Sequence, residues 1–110
     1  MKHLLLGDEA IAQGAIDAGL SGVYAYPGTP STEITEYIQL YEKRRALSAS
    51  LENGAGSACS IEARGKIFCQ WATNEKTAME GALGMSYMGK RALVCMKHVG
   101  MNVCADAFMN

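Results

Sequence analysis

An α/β fold in three layers, built on a mainly parallel sheet, is predicted by three observations. Four short apolar runs, at 4–6, 22–26, 66–71 and 92–96, have the length and composition of strands. A helical pattern follows each run, and strands that alternate with helices form parallel sheets. The chain has 110 residues, 49% of them hydrophobic, which suffices for one domain with a modest core. The crossovers between strands are expected to be right-handed.

Leu4-Leu5-Leu6 reads as a strand or its stub, closed by Gly7. From Asp8 to Ala18, Ile11, Gly14, Ala15 and Ala18 fall on one helical stripe. Asp8 and Glu9 occupy the first turn, where acids favour the helix dipole, and Gly19 suits a C-terminal cap. Gly22-Val23-Tyr24-Ala25-Tyr26 has the pattern of a buried strand. A second helix is expected to start in Pro27-Gly28-Thr29-Pro30-Ser31-Thr32, with Thr29 as N-cap and Pro30 first in the helix, and to run to about Arg45.

Residues 46–64 are the least patterned part. Gly, Ser and Ala dominate there, and a loop-rich segment is expected. Lys66-Ile67-Phe68-Cys69-Gln70-Trp71 is the third strand, and Thr73 or Asn74 caps a third helix that ends at Gly89. That helix carries Ala78, Gly81, Ala82, Gly84 and Ser86. An interior glycine costs about 1 kcal/mol relative to alanine, so two of them imply close packing against a backbone or a partner subunit. Ala92-Leu93-Val94-Cys95-Met96 is the fourth strand, followed by a loop at 98–102 and the start of a last helix.

Composition excludes several classes of function. Ten basic and eleven acidic residues nearly cancel, leaving a net charge of −1. No basic footprint for nucleic acid and no polybasic membrane patch is present. No apolar run approaches the roughly 20 residues that span a bilayer, and the N-terminus does not read as a signal peptide. The four cysteines, Cys59, Cys69, Cys95 and Cys104, show no CxxC spacing, and the only histidines are His3 and His98. That pattern does not build a zinc site or an iron–sulfur cluster, and no metal ligand is expected in this chain. Cys69 and Cys95 fit the role of small buried hydrophobes. Free thiols without a secretion signal fit the cytoplasm.

In an open α/β sheet, ligands bind beyond the carboxyl ends of the strands. Three loops leave such ends, at 27–32, 72–75 and 97–102, and polar groups gather in them. The first is neither GxxxxGK[ST] nor GxGxxG, and its pattern fits a plain N-cap better than an anion site. In the second, Glu75 begins a helix. Dipole stabilisation explains it, and so does a carboxylate meeting a ligand; spacing alone does not separate the two. In the third, Lys97, His98 and Asn102 surround Gly100, and His98 is a residue type that titrates near neutral pH, although a lone loop histidine is more often solvated than catalytic.

Taken together and in order, these segments resemble a known family. Leu5-Leu6-Gly7-Asp8-Glu9-Ala10-Ile11-Ala12 and Tyr26-Pro27-Gly28-Thr29-Pro30-Ser31-Thr32-Glu33-Ile34 look like the start of the alpha subunit of indolepyruvate ferredoxin oxidoreductases. Trp71-Ala72-Thr73-Asn74-Glu75-Lys76-Thr77-Ala78 and the stretch from Ala92 to Val103, through Lys97-His98-Val99-Gly100, follow the same family. The resemblance covers nearly all of the chain except about 46–64.

The resemblance implies a thiamine-diphosphate-dependent 2-oxoacid:ferredoxin oxidoreductase of aromatic amino acid degradation in anaerobic metabolism. Such enzymes oxidatively decarboxylate indolepyruvate and other aryl pyruvates to aryl-acetyl-CoA, with coenzyme A as acyl acceptor and ferredoxin as electron acceptor. Residues 1–110 would form the N-terminal part of the pyrimidine-binding domain. Glu75 would contact the aminopyrimidine ring and favour its imino tautomer. Thr29 would lie beside substrate and cofactor, with Pro27, Gly28 and Pro30 shaping the turn, and Lys97 and His98 would face the substrate. Glu75, Thr29 and His98 are thus the expected catalytic residues, and Glu75, Pro27, Gly28 and Thr29 the cofactor contacts.

The family's Gly-Asp-Gly magnesium motif and its cluster cysteines have no counterpart here. The resemblance therefore implies half of a cofactor site in an incomplete, inactive fragment. Magnesium, iron–sulfur clusters, the rest of the alpha subunit and a beta subunit would complete the enzyme. Two other readings stay open: a stand-alone interaction module derived from this fold, for which a discrete homo-oligomer is expected, and a related oxidoreductase acting on a different 2-oxoacid.

Overall fold

The computed structural model describes residues 2–51 and 65–110. Its element order is α1 (Gly7–Asp17), β1 (Gly22–Ala25), α2 (Thr32–Leu51), β2 (Phe68–Trp71), α3 (Glu75–Tyr87), β3 (Ala92–Cys95), α4 (Gly100–Val103) and α5 (Ala105–Met109). The strands form one parallel sheet in the order β2-β1-β3. Val23 is in register with Cys69 and Leu93, and Ala25 with Trp71 and Cys95. All four residues of β1 are buried, as befits a central parallel strand covered on both faces.

Alternation along the strands divides the core. Val23, Ala25 and Cys95 face Ala12 and Ile16 of α1 and Ile38 of α2. Tyr24 faces the other way, onto Ala78 and Ala82 of α3. The sheet therefore lies between α1 and α2 on one side and α3 on the other, the α/β architecture that the sequence predicts. No described helix is long and apolar enough to cross a membrane.

Local signals hold where they are strong. Gly19, with φ of 91°, ends α1: its amide donates to the Ile16 carbonyl and that of Leu20 to the Ala15 carbonyl. Gly89, with φ of 77°, repeats the arrangement after α3, with Gly89 N–H donating to Ser86 and Lys90 N–H to Met85. Both are the paired bonds of a Schellman ending, which needs a left-handed residue. Asn74 caps α3 by accepting from the Thr77 amide at 2.9 Å, while Thr77 Oγ1 accepts from the Asn74 amide at 3.4 Å.

Three expectations are corrected. Leu4-Leu5-Leu6 is not a strand: β1 is flanked by β2 and β3, and the run pairs with neither. The Leu6 carbonyl instead accepts the Ala10 amide and opens α1, leaving Leu4 and Leu6 exposed. Helix α2 begins at Thr32, so Thr29 is not its N-cap and Pro30 not its first residue. Residues 28–31 form a turn closed by the Ser31 amide on the Gly28 carbonyl, with a cis Thr29–Pro30 peptide. Finally, α2 continues past Arg45 to Leu51, because Ala46-Leu47 favours helix and no Gly or Pro interrupts before Gly54. Of the segment expected to be loop-rich, 52–64 lies outside the described residues, and Cys59 with it.

The expectation that both interior glycines of α3 mark close packing holds only for Gly81: Ala78, Gly81 and Ala82 meet the sheet of the same chain, whereas Gly84 and Ser86 are exposed and Gly84 has nothing within 4 Å. A β-carbon on Gly81 would stand 2.7 Å from Tyr24 Cε1, and one on Gly22 would stand 2.6 Å from Met85 Sδ. Helix α3 thus lies close over β1 because each partner supplies a glycine where the other supplies a side chain.

Candidate functional site

The carboxyl ends of the strands, at Ala25, Trp71 and Cys95, lie along one edge of the sheet. The loop after β3 joins the other two. Gly28, in the loop after β1, packs on Lys97: a β-carbon there would stand 3.0 Å from Lys97 Cβ. Glu75, at the start of α3, packs on Gly100: a β-carbon there would stand 2.6 Å from Glu75 Cγ and 3.0 Å from Glu75 Oε1. The three loops singled out by their polar residues therefore meet through two glycines.

Glu75 is the distinctive group at this edge. Its residue is only 9% exposed. Its carboxylate makes no hydrogen bond or ion pair with any other described residue. Among the described residues only the Thr35 hydroxyl is a fully buried side-chain polar atom without a partner, so the Glu75 oxygens keep access to the surface, where water or a ligand can reach them. Its place at the carboxyl edge, packed among the strand-end loops and opening α3, is compatible with a ligand-facing carboxylate as well as with dipole stabilisation.

The remaining expected residues form the rim. Pro27, Thr29, Lys97 and His98 are exposed, and Gly28 is half-buried. No hydrogen bond joins the side chain of Thr29 or His98 to another described residue. The first loop is held by its own bonds: Ser31 Oγ donates to the Gly28 carbonyl at 3.0 Å, and the Gly28 amide donates to Thr32 Oγ1 at 3.1 Å.

Beneath the rim sits a group that sequence reasoning missed. Thr35 is fully buried, and its hydroxyl has no hydrogen-bond partner among the described residues. It faces Cys95, at the end of β3, as a dipole without a bond of normal geometry. Burial pushes the Cys95 thiol up from its ordinary range, the Thr35 dipole offsets part of this, and the Asp8 charge adds to it. Cys69 is raised too, by burial first and then by Glu42, against the pull of Lys66. Both strand cysteines are free thiols with hydrophobic neighbours, in line with the sequence reading.

Two grooves lie elsewhere. One of about 520 Å³ runs along β3 past Met79, Leu83, Val94 and Phe108. One of about 330 Å³ is lined by Ile16, Tyr41, Arg45 and Ile67. Neither is lined by Glu75, and the strand-end loops, where ligands of open α/β sheets bind, are the better candidate.

No protein-family model matches the chain, and no solved structure matches it. Curated proteins do. The chain is 45% identical over 107 residues to indolepyruvate oxidoreductase subunit IorA of Archaeoglobus fulgidus, covering 96% of this chain and 14% of that protein. It is 41% identical over 108 residues to the IorA subunit of Pyrococcus horikoshii, with 98% and 14% covered. It is 34% identical over 109 residues to that of Methanothermobacter thermautotrophicus, with 99% and 14% covered. The chain spans about 14% of the length of these relatives. The matched stretches also run across residues 46–64, which the motif-level resemblance left out.

Proposed function

Because the chain is a relative of indolepyruvate oxidoreductase subunit IorA along nearly its whole length, we propose that it forms the aminopyrimidine side of a thiamine diphosphate site. The site would serve an oxidoreductase acting on indolepyruvate and other aryl pyruvates. The observation that carries this reading is Glu75, a largely buried residue whose carboxylate has no protein partner among the described residues, at the carboxyl edge of a parallel sheet.

Thiamine diphosphate, when bound, supplies the carbon nucleophile and the electron sink for decarboxylation of a 2-oxoacid. Glu75 would hold the aminopyrimidine ring through a hydrogen bond between its carboxyl oxygen and a ring nitrogen, a contact that would favour the imino tautomer. Packing on Gly100 excludes water from one side of that carboxyl group. Pro27, Gly28 and Thr29 shape the wall of the pocket, and Thr29, Lys97 and His98 at the rim receive the substrate's carboxylate. Magnesium, the iron–sulfur clusters and the coenzyme A site belong to the rest of the enzyme, with a beta subunit and ferredoxin as partners. A cytoplasmic location goes with this reading, as does a lack of turnover by the 110-residue chain alone.

The test is Glu75→Gln in the complete enzyme. Turnover of indolepyruvate should fall by about 10²–10⁴-fold, the usual share of a proton-transfer group. Near-normal turnover removes Glu75 from the mechanism.

A further inference from the structure

We propose that Gly100 is a positioning residue: its missing side chain sets where the Glu75 carboxylate stands. The inference rests on the reading of Glu75 given above and adds a residue on a different loop.

The three heavy atoms nearest to a β-carbon built on Gly100 all belong to Glu75: Cγ at 2.6 Å, Oε1 at 3.0 Å and Cδ at 3.1 Å. The shortest of these is closer than real β-carbons approach. Cγ is one bond from the Glu75 β-carbon, so a rotation at the far end of the side chain does not relieve the overlap. Either χ1 of Glu75 changes rotamer and carries the carboxylate several ångströms away, or the Gly100 backbone moves.

The backbone is tied down. The Gly100 amide donates to the Lys97 carbonyl at 2.8 Å, and the Gly100 carbonyl accepts the amide of fully buried Cys104 at 3.2 Å. Lys76, next to Glu75, also bridges to Asp106 at 3.0 Å, an exposed pair that adds little to these two bonds. The glutamate is therefore the part that yields.

Gly100 also has no conformational reason to be glycine. Its φ is not positive, and it opens a helical turn in which alanine is the better residue. The space occupied by Glu75 is what demands a hydrogen there. The dependence is specific: all three of the nearest contacts disappear with the Glu75 side chain beyond its β-carbon.

The experiment is a four-member cycle in the complete enzyme: wild type, Gly100→Ala, Glu75→Ala and the double variant. The readouts are thiamine diphosphate affinity in the presence of magnesium, the circular-dichroism signature of the bound ring, and the unfolding midpoint. Gly100→Ala should weaken cofactor binding about tenfold, alter the ring signature and lower the midpoint. In the Glu75→Ala background the same change should leave all three as they are. If Glu75→Ala impairs binding but Gly100→Ala does not, the positioning role fails and the Glu75 reading survives. If Glu75→Ala leaves binding and turnover intact, the functional reading fails and this inference with it. If Gly100→Ala unfolds the protein in both backgrounds, something other than Glu75 requires the glycine, and the proposal is overturned.

Discussion

Gly81 lies under the ring of Tyr24, close enough that a β-carbon on it would stand 2.7 Å from Cε1 and 2.9 Å from Cδ1. Gly84, less than one turn along the same helix, has nothing within 4 Å of that position. The two glycines therefore respond to alanine with opposite sign. Gly84→Ala should raise stability by about 1 kcal/mol through helix propensity. Gly81→Ala should lower it by about 1–3 kcal/mol, because Tyr24 is itself buried and has little room to yield. Urea unfolding midpoints that shift in the same direction for both variants would contradict the packing.

Thr35→Val replaces the buried, partnerless hydroxyl with a methyl group of similar shape. Removing an unsatisfied polar atom should stabilise the protein by about 1 kcal/mol or more. It should also raise the Cys95 thiol further, since the Thr35 dipole acts to lower it. A destabilised variant would mean that the hydroxyl has a partner outside the described residues.

Cys69 and Cys95 are both raised, chiefly by burial, so each stays protonated to higher pH when folded than when unfolded. The stabilisation linked to these thiols is then complete below the ordinary thiol range and is lost as pH rises through the raised folded values. Labelling by a thiol reagent, mapped residue by residue, should begin at higher pH for Cys69 and Cys95 in the folded protein than in urea. Equal onset in the two states would be inconsistent with that environment.

Asp106 is lowered, first by the hydrogen bond from Lys76 and then by the Ala107 amide. Its contribution is present above the ordinary carboxylate range and lost as pH falls through the depressed folded value. The pair is exposed, so the effect is small and screened. Asp106→Asn should lower the thermal midpoint slightly at low ionic strength, and the difference should vanish at about 1 M salt, where the Debye length is about 3 Å. A large difference that survives high salt would show that Asp106 acts through something other than this bridge.

How legible each part was depends on how local its cause is. Gly19, Gly89 and Asn74 act through bonds within a turn of chain, and their neighbours in sequence are enough to announce them. The end of α2 is less legible: the apolar stripe fades after Tyr41, so the pattern places the boundary near Arg45, although nothing at 46–51 breaks a helix. Glu75 was visible as a residue type in a strand-end loop, but its lack of a partner was not. Thr35 gave no signal at all, since a threonine in an amphipathic helix is ordinary until a sheet covers it.

The sequence by itself determined the alternation of strands and helices, the caps that end them, the edge of the sheet where polar loops collect and the kinship with a family of oxidoreductase subunits. Tertiary structure alone decided that Leu4-Leu5-Leu6 stays unpaired, that Gly81 serves Tyr24 and that Gly28 and Gly100 bring three loops together. The physical reason is range. Capping and periodicity act over three or four residues, whereas a strand needs an open neighbour and a glycine needs an intruding side chain. For Gly100 that side chain is Glu75, one helix and one strand earlier in the chain.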